Sequence, residues 1–398
     1  MTTDDRLQKA VRLFRQHFDK PPEAGAFAPG RVEILGNHTD YNEGFVLSCS
    51  IDMGVWLLCS RNGTGECSVV AADLDEHASF SATAPSPVND RTWPNFASGV
   101  YAGIMEKTGG ADLGGFDALL TSNIPSGAGL SSSAALEIAT GLGLQSLFGI
   151  ELDRMELARI AQQAENSFVG ARCGLLDQIS SLFGKADHFI FTDFRSLHVE
   201  PVPLHNTETC IIVFDTKKQH SLVDSEYNER RDNCEQAARF LARKLGPPFR
   251  SLRDAGRKDW EMFSPGMDET VARRALHIIE ENERVIRGKE ILEGNGSMEA
   301  FGQLMFESHE SSRRNFNNSC SELDHIVSAA SGIDGALGAR LSGGGFGGAA
   351  IVLAYRQRAE DIRRSIEKSY ADEFGVHCEA SIITPAEGAN LLNLSDRE

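Results

Sequence analysis

The chain opens with apolar residues at helical spacing. Within residues 4–18, Leu7, Val11, Phe14 and Phe18 fall on one side, which predicts an amphipathic helix. Short β-rich runs at 45–51, 55–59, 67–72 and 116–120, broken by Gly, Asn or Asp, predict strands. After Gly129 the period becomes helical over SSSAALEIATGLGLQSLF, with Gly149 placed to end it. Another helix is predicted over 153–168, then two strands in FIFTDF and CIIVFDT. The second half is mostly helical, with apolar residues three and four apart over 227–245, 271–287 and 297–310. It closes with strand-like ARLS and AAIVLAY around a glycine run, a helix over 360–370, and HCEASIIT. No regular strand–helix alternation recurs, so the pattern predicts α+β rather than a doubly wound sheet. At 398 residues the chain exceeds the ~250–300 at which one core stops growing. Two domains are expected, 1–214 and 215–398.

Composition narrows the ligands. The formal charge of −18 argues against nucleic acid or an anionic membrane as a partner. An anionic ligand must therefore be met locally, by backbone N–H groups, a few cations or a metal. No apolar run reaches the ~18 residues needed to span a bilayer, and the acidic, amphipathic start does not read as a signal peptide. Eight cysteines stand singly with no CxxC pair, so neither zinc nor a disulfide framework is suggested. These features lead to the expectation of a cytoplasmic protein with reduced thiols.

The stretch NIPSGAGLSSSAALE carries the most chemistry. Small residues let the backbone approach an anion, and the helix that follows offers unpaired N–H groups and its positive dipole end. A plain Ser-capped helix after a glycine turn would look similar. Three successive serines exceed what one cap needs, which favours phosphate binding. No Lys follows as a Walker A loop requires, and no V-A-I-K or H-R-D set marks a protein kinase. Further on, GGGFGG satisfies GxGxxG, but the residues after it read as a strand where a dinucleotide site needs a helix. That loop either lines a closed site or is a packing turn between strands.

Two carboxylates gain weight beside a phosphate loop. Glu165 in QQAENSFVG would by itself be a solvated helix residue, and Asp177 in CGLLDQISS a helix cap. A phosphate loop implies magnesium, which takes one or two protein oxygens, and a phosphoryl acceptor needs a carboxylate to take or orient its proton. Residues 28–44, APGRVEILGNHTDYNEG, add an Arg, carboxylates, Asn and a His among glycines, on backbone expected to turn sharply.

PGRVEILGNHTDYNEG, IPSGAGLSSSAALE, AENSFVGARCGLLDQ and ARLSGGGFGG, in this order and spacing, resemble the galactokinases of the GHMP small-molecule kinase superfamily. GKADHFIFTDFRSL, HSLVDSEYNERR, SLRD and ELDHIV extend the resemblance over nearly the whole chain. It implies a ribosomal-S5-like N-terminal domain, a C-terminal α+β domain, and a site between them. It implies galactose and ATP as ligands with Mg2+, and a monomer is expected. By resemblance, Asp177 faces the anomeric hydroxyl and Arg31 stabilises developing charge. Ser133 and Glu165 match magnesium ligands, and Gly127, Ala128, Gly129, Leu130, Ser131, Ser132 and Ser133 match the loop on the nucleotide phosphates. Trp93, with Ala71, matches the lining of the adenine pocket, where a core Trp is the alternative. Asn37, His38, Thr39, Asp40 and Tyr227 match sugar contacts; by itself His38 would be a satisfied turn histidine.

Two departures bear on the sugar. The family order is Asn then Glu, where this chain has Glu33 and Asn37, and Asp215 stands where Asn is common. The rival within the class is therefore a kinase for a C6-altered galactose such as galacturonate; from another class, a non-catalytic sugar and ATP sensor. An amide both donates and accepts, so Asn37 is expected to serve the C6 hydroxyl by turning its oxygen toward it. Asn37→Glu is then expected to keep galactose turnover within a few fold.

Overall fold

The computed structural model describes residues 3–88, 92–110, 113–125, 127–205, 207–218, 223–294 and 296–394. Residues 220–222 of the HSLVDSEYNERR stretch, and Ser126 of the NIPSGAGLSSS stretch, lie outside them. Elements are numbered in chain order. One mixed sheet contains β1 (Ala24–Leu35), β2 (Phe45–Arg61), β3 (Glu66–Ala71), β4 (Glu76–Ser81), β5 (Phe116–Ser122), β6 (His188–Asp193), β7 (His198–Pro203) and β12 (Asn390–Leu391). Its main path runs β12-β1-β2-β5-β3-β4, with β6 and β7 branching from β2. A second, antiparallel sheet has the order β11-β8-β10-β9, from β8 (Thr209–Asp215), β9 (Ala336–Ser342), β10 (Ala349–Tyr355) and β11 (Glu379–Ile383). The first half contributes helices α1 (Thr3–Phe18), α2 (Trp93–Lys107), α3 (Ser132–Phe148), α4 (Arg154–Ala164) and α5 (Leu176–Phe183). The second contributes α6 (Val223–Leu245), α7 (Arg257–Phe263), α8 (Glu269–Glu293), α9 (Met298–Ser311), α10 (Ser321–Ser331) and α11 (Ala359–Phe374). The fold is α+β. Among the described residues no helix is long and apolar enough to cross a membrane.

Periodicity explains where the faces go. Helix α1 lays Leu7, Val11 and Phe14 against Trp56 and Leu58 of β2, while the alternate residues Val55, Leu57 and Cys59 face the main core. In the second sheet, Ile211 and Val213 of β8 and Ile351 and Leu353 of β10 join that same core. Their neighbours Cys210, Ile212, Phe214, Val352 and Ala354 pack under α10 and α11. A sheet covered on both faces has no polar side, which is why CIIVF and AAIVLAY read as unbroken apolar runs.

Two expectations are corrected. The runs 45–51 and 55–59 are one strand, β2, whose start pairs with β6 and whose end pairs with β5, while β1 runs along both parts. Where the partner changes, Asp52 is exposed while Met53 is half-buried against the core, and the charged residue mimics a break. The stretch 28–44 does not turn throughout: up to Leu35 it belongs to β1, and the turn begins at Gly36 (φ 109°).

Helix α9 crosses β9 at glycine against glycine. A Cβ on Gly302 would lie 2.1 Å from Leu337 O, and one on Gly338 would lie 2.3 Å from Gly302 O. This close approach seats β9, the strand that delivers Arg340 and Ser342 to the first sheet. Gly302→Ala is expected to lower the thermal unfolding midpoint, reflecting a cost of about 1–3 kcal/mol. Gly65→Ala, in open space, is the control; equal midpoints for the two variants would mean the crossing yields.

Candidate active site

Arg31 is buried on β1, and its guanidinium joins three elements. Nε lies 2.8 Å from Asp177 Oδ1 and Nη2 2.7 Å from Oδ2, a bidentate pair in the first turn of α5. Nη1 donates to Gly129 O at 2.9 Å. The Ser131 hydroxyl makes a short hydrogen bond to Asp177 Oδ2. Ser131 adopts left-handed backbone (φ 57°, ψ 50°) and gives α3 no side-chain cap. The Ser-capped reading therefore fails: the hydroxyl that would cap the helix is spent on Asp177. The N-terminus of α3, with Ser132 exposed and Ser133 half-buried, keeps its donors and its positive dipole end available to an anion. Ala128 and Leu130 are buried beneath the loop, and Gly127 and Gly129 hold φ near +70°.

The turn after β1 is pinned from behind. Glu281 of α8 is fully buried; its Oε1 accepts from Gly36 N at 2.9 Å and Asn37 N at 3.3 Å, and its Oε2 from Arg284 Nε at 2.7 Å. Although burial opposes its charge, Arg284 and its other donors hold its carboxyl well below the usual range. Asn37 Nδ2 donates to Glu33 Oε1 at 3.0 Å and Gly343 O at 2.8 Å. Its Oδ1 accepts from Asn318 Nδ2 at 2.9 Å and Ser312 Oγ at 3.3 Å. His38 Nε2 meets Gly344 O at 3.1 Å and Nδ1 meets the Tyr41 hydroxyl at 2.9 Å. Burial pushes its pKa down to about 3, so it stands neutral between the Tyr227 and Phe316 rings, 5.1 and 4.5 Å away. Thr39 is turned away from the cleft, its Oγ1 2.7 Å from Gly36 O and 2.6 Å from Phe45 O.

These groups wall a cleft of about 110 Å³. Arg31, Glu33, Asn37, His38, Asp40, Asp177, Tyr227, Gly343 and Gly344 line it, with Cys173, Gly174 and Leu176. The glycine run between β9 and β10 is thus both a turn and a wall, since its carbonyls receive Asn37 and His38. Glu33 is buried and ion-paired with Arg340 Nη2 at 2.9 Å. Burial raises its carboxyl, while the charges of Arg340 and Arg31 oppose the rise. Asp40 is pushed up to about 7, by burial first and then by Glu33 and Asp177. Burial likewise raises the Tyr227 phenol.

Glu165 sits where α4 passes into a π-helical turn, Glu165–Val169. Its Oε2 accepts from Gln178 Nε2 at 3.1 Å, and the same amide donates to Glu137 Oε2 at 3.0 Å. Burial and the Asp177 charge push Glu165 up to about 7, and burial raises Glu137 well above the carboxylate range. One hydroxyl and one carboxylate short of cations fit magnesium, which takes few protein ligands and keeps waters and phosphate oxygens. Among the described residues no cluster of His, Cys, Asp and Glu forms a larger metal cage. Trp93 and Ala71 lie apart from the cleft and near each other. Trp93 Nε1 donates to Glu76 Oε2 at 2.7 Å, and Glu76 pairs with Ala71 across the β3–β4 hairpin.

Glu33, Arg340, Glu281 and Asn318 join the site beyond the residues that the motifs point to. Period-two alternation with Arg31 on a strand could have found Glu33. No local signal marks the other three, which arrive from more than 240 residues away.

Comparison with known proteins places the whole chain in one family. Residues 12–61 match the galactokinase galactose-binding signature, 95–185 the N-terminal domain of GHMP kinases, and 289–372 their C-terminal domain. The chain is 38% identical over 395 residues to a galactokinase of Actinobacillus pleuropneumoniae serotype 5b (strain L20), covering 97% of this chain and 99% of that one. The crystal structure of Lactococcus lactis galactokinase complexed with galactose superposes with a TM-score of 0.91 at 29% identity, over 97% of this chain and all of that one. A mevalonate kinase of Methanococcus jannaschii shares the fold at 17% identity and a TM-score of 0.59, over 91% and 98% of the two chains. With fold, signature and near-full-length identity in agreement, the chain belongs to the galactokinase family of GHMP kinases.

Proposed function

We infer that this chain transfers the γ-phosphoryl group of ATP to the anomeric hydroxyl of galactose, giving α-D-galactose 1-phosphate and ADP. The observation that carries the reading is the Arg31–Asp177 pair, bonded to Ser131 and Gly129 of the phosphate loop and opening on the sugar-sized cleft. Acceptor carboxylate and phosphate cradle are thereby one rigid unit, as phosphoryl transfer requires. Among the described residues Asp177 Oδ1 receives one hydrogen bond, from Arg31 Nε, and keeps a lone pair for the anomeric O–H. As the anomeric oxygen bonds to the γ-phosphorus and the bridging P–O bond breaks, that proton passes to Asp177. Arg31 fixes the carboxylate and lies where charge develops. Residues 127–133 take the nucleotide phosphates, with Trp93 and Ala71 on the adenine. His38, Asp40 and Tyr227 shape the sugar's seat.

Ser133 and Glu165 would hold Mg2+, which when bound neutralises phosphate charge. Gln178 anchors one Glu165 oxygen and leaves the other for the ion. The enzyme is taken to act as a cytoplasmic monomer, a reading consistent with eight free cysteines. Galacturonate is disfavoured by the cleft's own charges: Glu33, Asp40 and Asp177 line it, and among the described residues its one lining Lys or Arg, Arg31, is paired with Asp177. A non-catalytic sensor would have no need of the Asp177–Arg31–Ser131 linkage.

Asp177→Asn is expected to fold and lose about 10²–10⁴ of kcat, or ~3–5 kcal/mol of barrier. Stopped or coupled ADP assays decide it, and retention of over half the turnover would remove Asp177 from catalysis. Glu165→Gln is expected to raise the magnesium concentration giving half-maximal rate while the galactose KM hardly moves. An unchanged magnesium titration would return Glu165 to a structural role. Galactose is expected to exceed galacturonate in kcat/KM by at least ~10-fold, the equivalent of ~1.4 kcal/mol. Equal or reversed values would promote the uronate kinase.

A further inference from the structure

The exchange of Glu33 and Asn37 resolves differently from the sequence expectation. Asn37 is 1% exposed, and its amide is used on every side. Nδ2 gives its hydrogens to Glu33 Oε1 and Gly343 O, and Oδ1 accepts from Asn318 and Ser312. An amide has two hydrogens and one oxygen with two lone pairs, so nothing remains for a sugar hydroxyl. Turning it over would set its oxygen against the Glu33 carboxylate and the Gly343 carbonyl, and its hydrogens against the Asn318 amide. The expectation that Asn37 rotates to serve the sugar is overturned by these four partners.

Glu33 is in the opposite condition. Oε1 is taken by Arg340 Nη2 at 2.9 Å and Asn37 Nδ2 at 3.0 Å. Oε2 has, among the described residues, a 3.4 Å approach from that same amide, and the side chain lines the cleft. Arg340 also donates from Nη1 to the Glu33 carbonyl at 3.0 Å, so backbone and carboxylate are gripped together. Glu33 lies two residues from Arg31 on β1, hence on the same face and about 7 Å along it, close to the span of a pyranose ring. With Asp177, clasped by Arg31, on the anomeric hydroxyl, Glu33 meets the far side of the ring.

We propose that Glu33 is the specificity-determining acceptor for a sugar hydroxyl remote from the anomeric carbon, at C4 or C6, and that Asn37 and Arg340 are positioning residues that aim its free oxygen. The proposal rests on the galactose reading above. The carboxylate that selects the sugar comes from the strand, and it is steered by an arginine of the other sheet. Asn37→Glu, expected from the sequence to be tolerated, instead sets a second carboxylate against the first and withdraws the donor that Gly343 O uses.

The test compares galactose with 4-deoxygalactose and 6-deoxygalactose, by calorimetric Kd on the full chain and by kcat/KM. The wild-type enzyme is expected to bind one deoxy analogue about 10–100-fold more weakly than galactose, as for a lost hydrogen bond to a charged group. Glu33→Gln is expected to narrow that ratio to within about threefold for the same analogue, with the KM for ATP shifting less than twofold. Glu33→Asp retains the charge opposite Arg340 and retracts the acceptor by one methylene, so it gives the same narrowing if the Gln variant does not fold. Asn37→Glu is expected to weaken galactose binding more than tenfold, and combining it with Glu33→Asn to recover most of the loss. Undiminished discrimination in a folded Glu33 variant, or full galactose affinity in Asn37→Glu, overturns the assignment. A wild-type enzyme that binds galactose and releases no ADP overturns the kinase reading alone.

Discussion

One guanidinium sets the geometry on which the rest of the site depends. Arg31 is rooted in β1, bonds both oxygens of Asp177, and reaches the carbonyl of Gly129. Each of those partners comes from a different part of the first domain's sequence, and each would be free to move alone. Fixing both to one planar, five-donor group rooted in β1 ties strand, helix and loop into a single surface. Ser131 completes the tie by giving its hydroxyl to Asp177. The glycine–serine loop and the Asp177 carboxylate are therefore held together, and in the proposed reaction that fixed geometry is what phosphoryl transfer depends on.

A second buried arginine does the corresponding work across the seam between the sheets. Arg340 is fully buried and reaches both the carbonyl and the carboxylate of Glu33. Ser342, two residues along β9, accepts from Glu33 N at 2.9 Å. A buried pair of this kind adds little net stability, yet removing one partner costs about 3–5 kcal/mol because the other is left uncompensated. Its value here is orientation. The second sheet docks in the one position that brings Arg340 to Glu33, and the glycine run between β9 and β10 then falls over the sugar cleft.

The charges behind this frame are unevenly compensated. Glu281 pins the turn backbone, is surrounded by donors and stays ionised. Asp40, which lines the cleft, and Glu165, bonded to Gln178 outside it, face no such set of cations, and burial lifts both to about 7. A carboxylate kept short of partners inside the protein is ready for a ligand that supplies them, whether a cation or the hydroxyls of a sugar.

Local patterns determined much of this by themselves. The apolar periods of α1 and α3, the small residues and serines around Gly129, and the runs CIIVF and AAIVLAY each follow from neighbours within a turn or a strand. Arg31, Asp177, Glu165 and the glycine–serine loop stand out because they sit in contiguous motifs, and folding brings Arg31, Asp177 and Ser131 into contact. What the sequence could not decide was how each side chain spends its hydrogen bonds. Asn37 reads as a sugar ligand, and only folding brings Asn318, Ser312 and Gly343 around it and saturates it. Thr39 reads as part of the same motif, yet the turn directs its hydroxyl to Gly36 and Phe45. Glu33 reads as a charge of unknown direction until Arg340, 307 residues on, fixes it. A motif specifies which groups are present. Which of them remain free for a substrate depends on partners distant in sequence, and the tertiary structure alone decides that.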